Sequence, residues 1–165
     1  MITDELYAKP GHLIRRMQQI AVAIFMEECR DFDLTPVQYA TLVAVSAYPG
    51  IDATRLSALI AFDRSTLGSV IGRLEGKKYI ERRASADDSR VKLLHLTELG
   101  RKKLAAAAPA VDRAQQAMLA PLKPADRRNF MRLLAQLVDL NNDASRAPQQ
   151  AINQPRGSLI SSEAI

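Results

Sequence analysis

One predicted helix carries the side chains best suited to reading DNA. Its polar face is formed by four residues, Ser65, Thr66, Ser69 and Arg73. Its apolar face is formed by residues that lie three and four positions apart, Leu67, Val70, Ile71 and Leu74. Short hydroxyl side chains let a helix backbone approach base edges in the major groove, while an arginine reaches bases or phosphates. The pattern therefore predicts a recognition helix with an apolar back and a polar front.

A polar loop with charged residues follows this helix. It lies between two predicted strands, residues 79–83 and 91–96, and it carries Asp88 and Arg90. Their two-residue spacing across a tight loop predicts a charge-assisted hydrogen bond through which Asp88 orients Arg90. The order of helix, strand, charged loop and strand is typical of a winged helix-turn-helix, in which this loop is the wing.

The elements before the recognition helix must position it. Thr35 and Pro36 predict a helix start, with threonine as the N-cap and proline at the first helical position, and Gln38 is placed to complete a capping box. This helix runs to about Ala47 and ends at a Tyr-Pro-Gly turn. Asp52 then opens a short helix, which we expect to cross the DNA backbone while the next helix enters the groove.

Two further regions are more apolar than single surface helices require. Residues 11–30 predict a helix whose apolar surface is wider than one stripe. A long helical segment begins at residues 97–100, and we expect Pro109 to kink or interrupt it. A last helix, from Pro124 to about Asn142, also has a broad apolar face. We assign the first helix and the last two to a dimerisation region.

These patterns divide the chain into four parts. Residues 1–33 are an N-terminal arm and a dimerisation helix, residues 34–97 are the winged helix-turn-helix lobe, and residues 98–143 are the C-terminal dimerisation helices. Residues 144–165 are rich in Gln, Ser, Pro and Asn, which predicts a disordered tail. The predicted fold class is mainly α with a small β-hairpin.

Charge and composition narrow the class of protein. The 165-residue chain has a formal net charge of +5, and residues 64–103 hold 11 Lys and Arg against 5 Asp and Glu. This excess coincides with the recognition helix and wing, which favours a polyanion-binding surface over an ordinary solvated face. No apolar run approaches the roughly 18 residues of a membrane span, and no signal pattern begins the chain, so we expect a cytoplasmic protein without a membrane partner.

A second candidate site lies at the start of the first long helix. His12 and Arg16 are four residues apart and share a face, so that an imidazole and a guanidinium could grip one carboxylate or hydroxyl. The alternative is that both residues make a structural contact across a dimer. The single cysteine, Cys29, lacks a partner for a disulfide, and packing is favoured over a redox role. The sequence has no nucleophile or metal pattern, so we expect neither an enzyme nor a cofactor.

Two stretches of the chain resemble a known family. Residues 34–39 (LTPVQY) and residues 88–100 (DSRVKLLHLTELG) resemble the multiple-antibiotic-resistance regulator (MarR) family of bacterial transcription factors. The resemblance covers roughly residues 11–142. It implies a homodimer with one winged helix in each subunit, which represses nearby genes and is often released from DNA by a small phenolic or aromatic acid. The first helix is similar to members that govern aromatic-acid catabolism.

The resemblance also implies roles for single residues. The polar face that begins with Ser65 matches the family's recognition-helix surface, and Arg64 at its start is expected to contact phosphate or face the effector cleft. Arg90 matches the wing arginine that reaches the minor groove. His12 and Arg16 lie where the effector often binds, between the dimerisation helices and the DNA-binding lobe. Ser89 stands where the family commonly has a second wing arginine.

Two functions remain open from the sequence. The first is a ligand-released repressor that binds a pseudo-palindromic operator as a dimer. The second is an activator or architectural protein that uses the same winged helix without an effector. A pocket lined by His12 and Arg16 would favour the first function, whereas a filled cleft would favour the second.

Overall fold

The computed structural model of the chain describes residues 2–151, with side chains from residue 5 onward. Within this range the elements occur in the order α1 (Ile2–Tyr7), α2 (Pro10–Glu28), α3 (Pro36–Ala47), β1 (Ile51–Asp52), α4 (Ala53–Leu59), α5 (Arg64–Gly76), β2 (Ile80–Ala84), β3 (Lys92–Leu96), α6 (Glu98–Leu119) and α7 (Pro124–Leu140). Short 3-10 turns lie at Arg30–Phe32 and Asn142–Ala144. The predicted fold class, mainly helical with a small β element, is confirmed.

The winged helix-turn-helix lobe is built from α3, α4, α5 and the sheet. Its core contains one side chain or more from each of these elements: Leu42, Val45, Ile51, Leu56, Leu67, Ile71, Leu74, Ile80 and Leu94. The predicted start of α3 is confirmed, because the Gln38 amide donates to Thr35 Oγ1 and the Thr35 amide donates to Gln38 Oε1. This reciprocal capping box satisfies two amides that the helix itself leaves without partners.

The sheet has three antiparallel strands in the order β1-β3-β2. The predicted hairpin pairs Ile80 with Leu96 and Ala84 with Lys92. The two-residue strand β1 is not apparent from the sequence, where Asp52 reads only as a helix N-cap. Asp52 serves both purposes: it pairs with Leu93 in the sheet, and its carboxylate accepts hydrogen bonds from the first amides of α4.

A second, smaller core joins α2 to α6. It contains Phe25, Cys29, Ala110 and Val111. Of the two expected effects of Pro109, the interruption is wrong, since α6 is continuous from Glu98 to Leu119. Proline removes one backbone hydrogen bond, but Pro109 is solvent-exposed, and the packing of neighbouring alanines against α2 stabilises the helix on its other side.

Both ends of the described chain contain more structure than predicted. The expected N-terminal arm includes α1, and the described part of the expected disordered tail, residues 144–151, contacts the end of α4. The Gln150 amide donates to Ala58 O, and Gln149 Nε2 donates to Leu59 O, so this segment satisfies carbonyls at the end of α4. The remainder of the predicted tail, residues 152–165, lies outside the described residues.

Candidate nucleic-acid interface and effector cleft

The recognition helix α5 has the two faces that its sequence predicts. Its four apolar residues are buried in the lobe core, with Leu67 and Leu74 at 0% exposure. Its polar face is exposed to solvent and consists of Ser65, Thr66, Ser69 and Arg73. Arg64, the first residue of the helix, is also exposed. The lobe core therefore fixes α5 by its apolar back and leaves its polar front available for a partner.

Asp63 sets the beginning of α5. Its Oδ1 accepts hydrogen bonds from the backbone amides of Ser65 at 3.0 Å and Thr66 at 3.1 Å, and from the Ser65 hydroxyl at 2.5 Å. The Ser65 hydroxyl bond, followed by the amide bonds, holds the pKa of Asp63 below its usual value. Asp63 is not among the site residues that the sequence predicts. The available signal was an aspartate directly before an apolar helical period, which is the pattern of an N-cap.

The wing contains the ion pair that the sequence predicts. Arg90 Nε lies 3.0 Å from Asp88 Oδ1, and Arg90 Nη2 lies 3.0 Å from Asp88 Oδ2. The side-chain bond from Arg90 lowers the pKa of Asp88, and the same bond raises the pKa of Arg90. The Arg90 side chain is 89% exposed, so its guanidinium is oriented by Asp88 while its outer edge faces solvent.

Two other arginines of the hairpin are paired with carboxylates. Arg82 Nε lies 3.2 Å from Glu75, and Arg83 Nη2 lies 2.5 Å from Glu81. Lys92 Nζ donates to Ser89 O at 2.9 Å and so fastens the wing loop to β3. The positive charge available to a polyanion is therefore smaller than the residue count suggests. Arg90 at the tip of the wing is likewise paired with Asp88, whereas Arg64 and Arg73 of α5 are exposed and have no carboxylate partner among the described residues.

His12 and Arg16 line an open cleft at the junction of α1 and α2. Its volume is about 540 Å³, and its other lining residues are Tyr7 and Leu13. The rings of Tyr7 and His12 are 5.3 Å apart between centroids and are tilted by 56°. The structure thus brings together the two predicted ligand residues and adds Tyr7, which lies in the predicted N-terminal arm. Cation, imidazole, phenol and leucine together suit a small aromatic acid.

A smaller cavity of about 270 Å³ lies between α3, the base of the wing and the start of α6. It shares no lining residue with the cleft at α1 and α2. Its two arginines are already paired, Arg83 with Glu81 and Arg101 with Glu98. Because these carboxylates offset its positive charge, this cavity is less suited to an anionic ligand than the cleft that contains Arg16.

Similarity to known proteins identifies the family of this chain. A sequence model of the MarR family matches residues 32–91. The transcriptional regulator HosA of Escherichia coli is 30% identical over 131 residues, which cover 79% of this chain and 96% of HosA. This chain belongs to the MarR family. The transcriptional repressor NicR of Pseudomonas putida is 27% identical over 134 residues, which cover 81% of this chain and 85% of NicR.

Two solved structures of similar proteins carry further information. BpsR of Bordetella bronchiseptica, whose DNA binding is regulated by 6-hydroxynicotinic acid, matches with a TM-score of 0.76 and 30% identity over 81% of this chain and 95% of BpsR. The transcriptional repressor CouR, bound to a 23-mer DNA duplex, matches with a TM-score of 0.75 and 27% identity, again over 81% of this chain and 95% of CouR. This MarR-family chain is therefore a winged-helix DNA-binding transcriptional regulator and not an enzyme.

The single cysteine of this MarR-family protein is buried in an apolar core. Cys29 is buried between α2 and α6, and burial raises the pKa of its thiol, with the Glu28 carboxylate raising it further. Both effects disfavour the reactive thiolate, which supports a packing role.

Within residues 2–151, no group of three His, Cys, Asp or Glu side chains is placed to hold a metal ion. In the same range, no helix is long and apolar enough to cross a bilayer.

Proposed function

We propose that this protein is a homodimeric repressor that a small hydroxylated aromatic acid releases from its operator. The observation that carries the proposal is the cleft in which Tyr7, His12 and Arg16 converge, beside a helix that belongs to the dimerisation region. A guanidinium binds a carboxylate, while the imidazole and the phenol are placed to bind a hydroxyl or a ring nitrogen. The regulation of BpsR by 6-hydroxynicotinic acid supports this ligand class.

Exposed apolar side chains support the homodimer. Every residue of α7 is at least partly accessible, and its exposed apolar residues are Phe130, Met131, Leu133, Leu134, Leu137, Val138 and Leu140. Leu13, Ile14 and Ile20 of α2 are exposed as well. An apolar surface of this extent on a soluble domain marks an interaction site. We assign it to a second copy of the chain, since two copies of the same face form a closed twofold interface.

The proposed DNA contacts combine α5 and the wing. Ser65, Thr66, Ser69 and Arg73 enter the major groove, Arg64 contacts a phosphate, and Arg90 held by Asp88 reaches the neighbouring minor groove. A twofold dimer carries two such sets, so the operator is a pseudo-palindrome with half-sites about one helical turn apart. The structure of CouR on a 23-mer duplex supports a site of about this length. The protein acts where the chromosome lies, in the cytoplasm.

The proposed release mechanism uses the path from the cleft to the DNA-binding lobe. The cleft lies on α1 and α2, α2 packs along α6, and α6 continues directly from the wing strand β3. A ligand that binds one orientation of α2 more tightly shifts the population of lobe positions, because release requires different affinities for the two states. An activator or architectural role without an effector is less well supported, since it leaves the open cleft without a use.

The test is a fluorescence anisotropy titration with labelled duplexes from the region upstream of the gene and of its neighbours. We expect one pseudo-palindromic segment to bind at nanomolar to micromolar protein concentration, with affinity that falls steeply as salt rises. Hydroxybenzoic and hydroxynicotinic acids are then added to the complex. Release by at least one of these acids, and not by its methyl ester, supports the proposal. Operator binding that no acid in the panel affects contradicts the effector.

A further inference from the structure

Two serines of the recognition helix have hydroxyl protons that are already engaged. Ser65 Oγ donates to Asp63 Oδ1 at 2.5 Å, and Ser69 Oγ donates to Thr66 O at 2.8 Å. The direction of both bonds follows from the partners, because a carboxylate and a backbone carbonyl can only accept. A serine hydroxyl has one proton and two lone pairs. Each serine therefore presents only lone pairs to a partner outside the helix.

The bond to Asp63 is the stronger constraint. Asp63 Oδ1 also accepts the backbone amides of Ser65 and Thr66, so the carboxylate is held at the start of α5 in its ionised form. Hydrogen bonds to an ionised acceptor are stronger than bonds between neutral groups. Turning the Ser65 proton outward would remove one of these charge-assisted bonds. The acceptor orientation is therefore favoured when the helix meets DNA.

Because base edges in the major groove carry both donors and acceptors, this orientation gives each serine a preference for donor groups. Cytosine N4 and adenine N6 are donors, whereas guanine N7 and O6, adenine N7, thymine O4 and the phosphate oxygens are acceptors. A hydroxyl that acts only as an acceptor pairs well with the amino groups and poorly with the acceptor atoms. We propose that Ser65 and Ser69 read exocyclic amino groups, and that Asp63 is the positioning residue that imposes this polarity on Ser65. The inference rests on the proposed docking of α5 in the major groove.

Base analogues in the operator test this assignment. Purine nucleoside replaces adenosine and removes the N6 amino group, 2-pyrimidinone nucleoside replaces cytidine and removes the N4 amino group, and 7-deazapurines remove N7. Each position of a half-site is replaced in turn, and affinity is measured for the wild type, Ser65→Ala and Ser69→Ala. We expect one amino deletion for each serine to weaken wild-type binding by roughly threefold to tenfold. The same deletion should have no effect in the corresponding alanine variant.

Controls separate this result from other outcomes. Ser46→Ala removes an exposed hydroxyl outside the recognition helix and should leave every analogue effect unchanged. A 7-deazapurine removes a base acceptor, and a methylphosphonate in place of a phosphate removes an acceptor oxygen. If a serine is coupled to either change, its hydroxyl donates, and the proposal is wrong. It is also wrong if neither serine is coupled to an amino deletion. Wild-type protein that binds no operator duplex would contradict the proposed function itself, which is a different result.

Two variants of Asp63 test the positioning role. Asp63→Asn retains an oxygen that can accept both the amides and the Ser65 hydroxyl, while Asp63→Ser retains an N-cap whose shorter side chain caps the helix without engaging Ser65. Both should preserve the helix content measured by circular dichroism. We expect Asn to retain the coupling between Ser65 and the amino group and Ser to abolish it. Equal coupling in both variants would show that Asp63 is only a cap.

Discussion

The guanidinium of Arg90 and the carboxylate of Asp88 form a two-point ion pair across the turn of the wing, with both nitrogen to oxygen distances at 3.0 Å. The Arg90 backbone amide also donates to Asp88 Oδ1 at 3.0 Å. Asp88 thus holds the loop backbone and the arginine side chain together. Such an exposed pair contributes little to the stability of the fold, because solvent screens it. The pair does fix the direction of the arginine side chain before any partner binds.

Replacing the wing arginine should affect DNA binding alone. Arg90→Ala removes the proposed groove or phosphate contact, so operator binding should weaken by about 1–3 kcal/mol, with a smaller dependence on salt. Anisotropy titrations at several salt concentrations measure both quantities. Arg30→Ala removes an exposed arginine that is paired with Glu27 outside the recognition helix and wing, and it should bind as the wild type does. If Arg90→Ala binds the operator with wild-type affinity, Arg90 of the wing does not contribute to DNA binding.

A change in the cleft should affect the effector alone. Arg16→Ala removes the proposed carboxylate partner, so the variant should bind the operator normally and remain bound at effector concentrations that release the wild type. Arg15→Ala is the matched control, because Arg15 bonds to Gln19 and does not line the cleft. Isothermal titration with the effector should show lost binding for Arg16→Ala only. Release of both variants at the same effector concentration would place the effector site elsewhere.

A charge on α7 should separate the subunits. Leu137 is 56% exposed in the single chain, and in the proposed dimer Leu137→Asp buries a carboxylate without a partner. We expect sedimentation velocity at micromolar concentration to show a monomer that has lost most of its operator affinity, since both half-sites are needed. Gln136→Asp places the same charge on the adjacent exposed position and should remain dimeric. A wild type that sediments as a monomer would contradict the proposed dimer.

One glycine at the start of α6 has no space for a side chain. A Cβ at Gly100 would lie 2.0 Å from Tyr79 O, a backbone atom, so Gly100→Ala must displace the β2 end of the sheet or the first turn of α6. We expect a loss of about 2–4 kcal/mol in the free energy of unfolding. Gly72→Ala, in the middle of α5 with no atom within 4 Å of its Cβ, should gain up to about 1 kcal/mol.

Urea unfolding at one fixed protein concentration compares these two variants with the wild type, because the stability of an oligomer depends on concentration. A Gly100→Ala variant that unfolds at the wild-type urea midpoint would mean that the junction between β2 and α6 is less tightly packed than described. The Gly72 variant should be examined for stability and not for DNA binding, since it lies on an exposed part of the recognition helix.

Local chemistry allowed the sequence to predict much of the DNA-binding lobe. The capping box at Thr35 and Gln38, the two faces of α5 and the pairing of Asp88 with Arg90 all depend on residues within a few positions of one another. Helical periodicity, N-cap preferences and short-range charge pairing act over a few residues, so they can be predicted without knowledge of the tertiary structure. The resemblance to a family also predicted a function for the chain, and the similar proteins confirm that it is a transcriptional regulator.

Only the tertiary structure decided the features that depend on distant contacts. Strand β1 exists because β3 lies beside it, and the helix through Pro109 is stabilised by its packing against α2. The Gln149 side chain donates to Leu59 O, 90 residues earlier in the chain, because the fold brings the end of α4 beside it. In each case the free energy that selects the conformation comes from residues far apart in the chain. No local pattern in the sequence reports such a contribution.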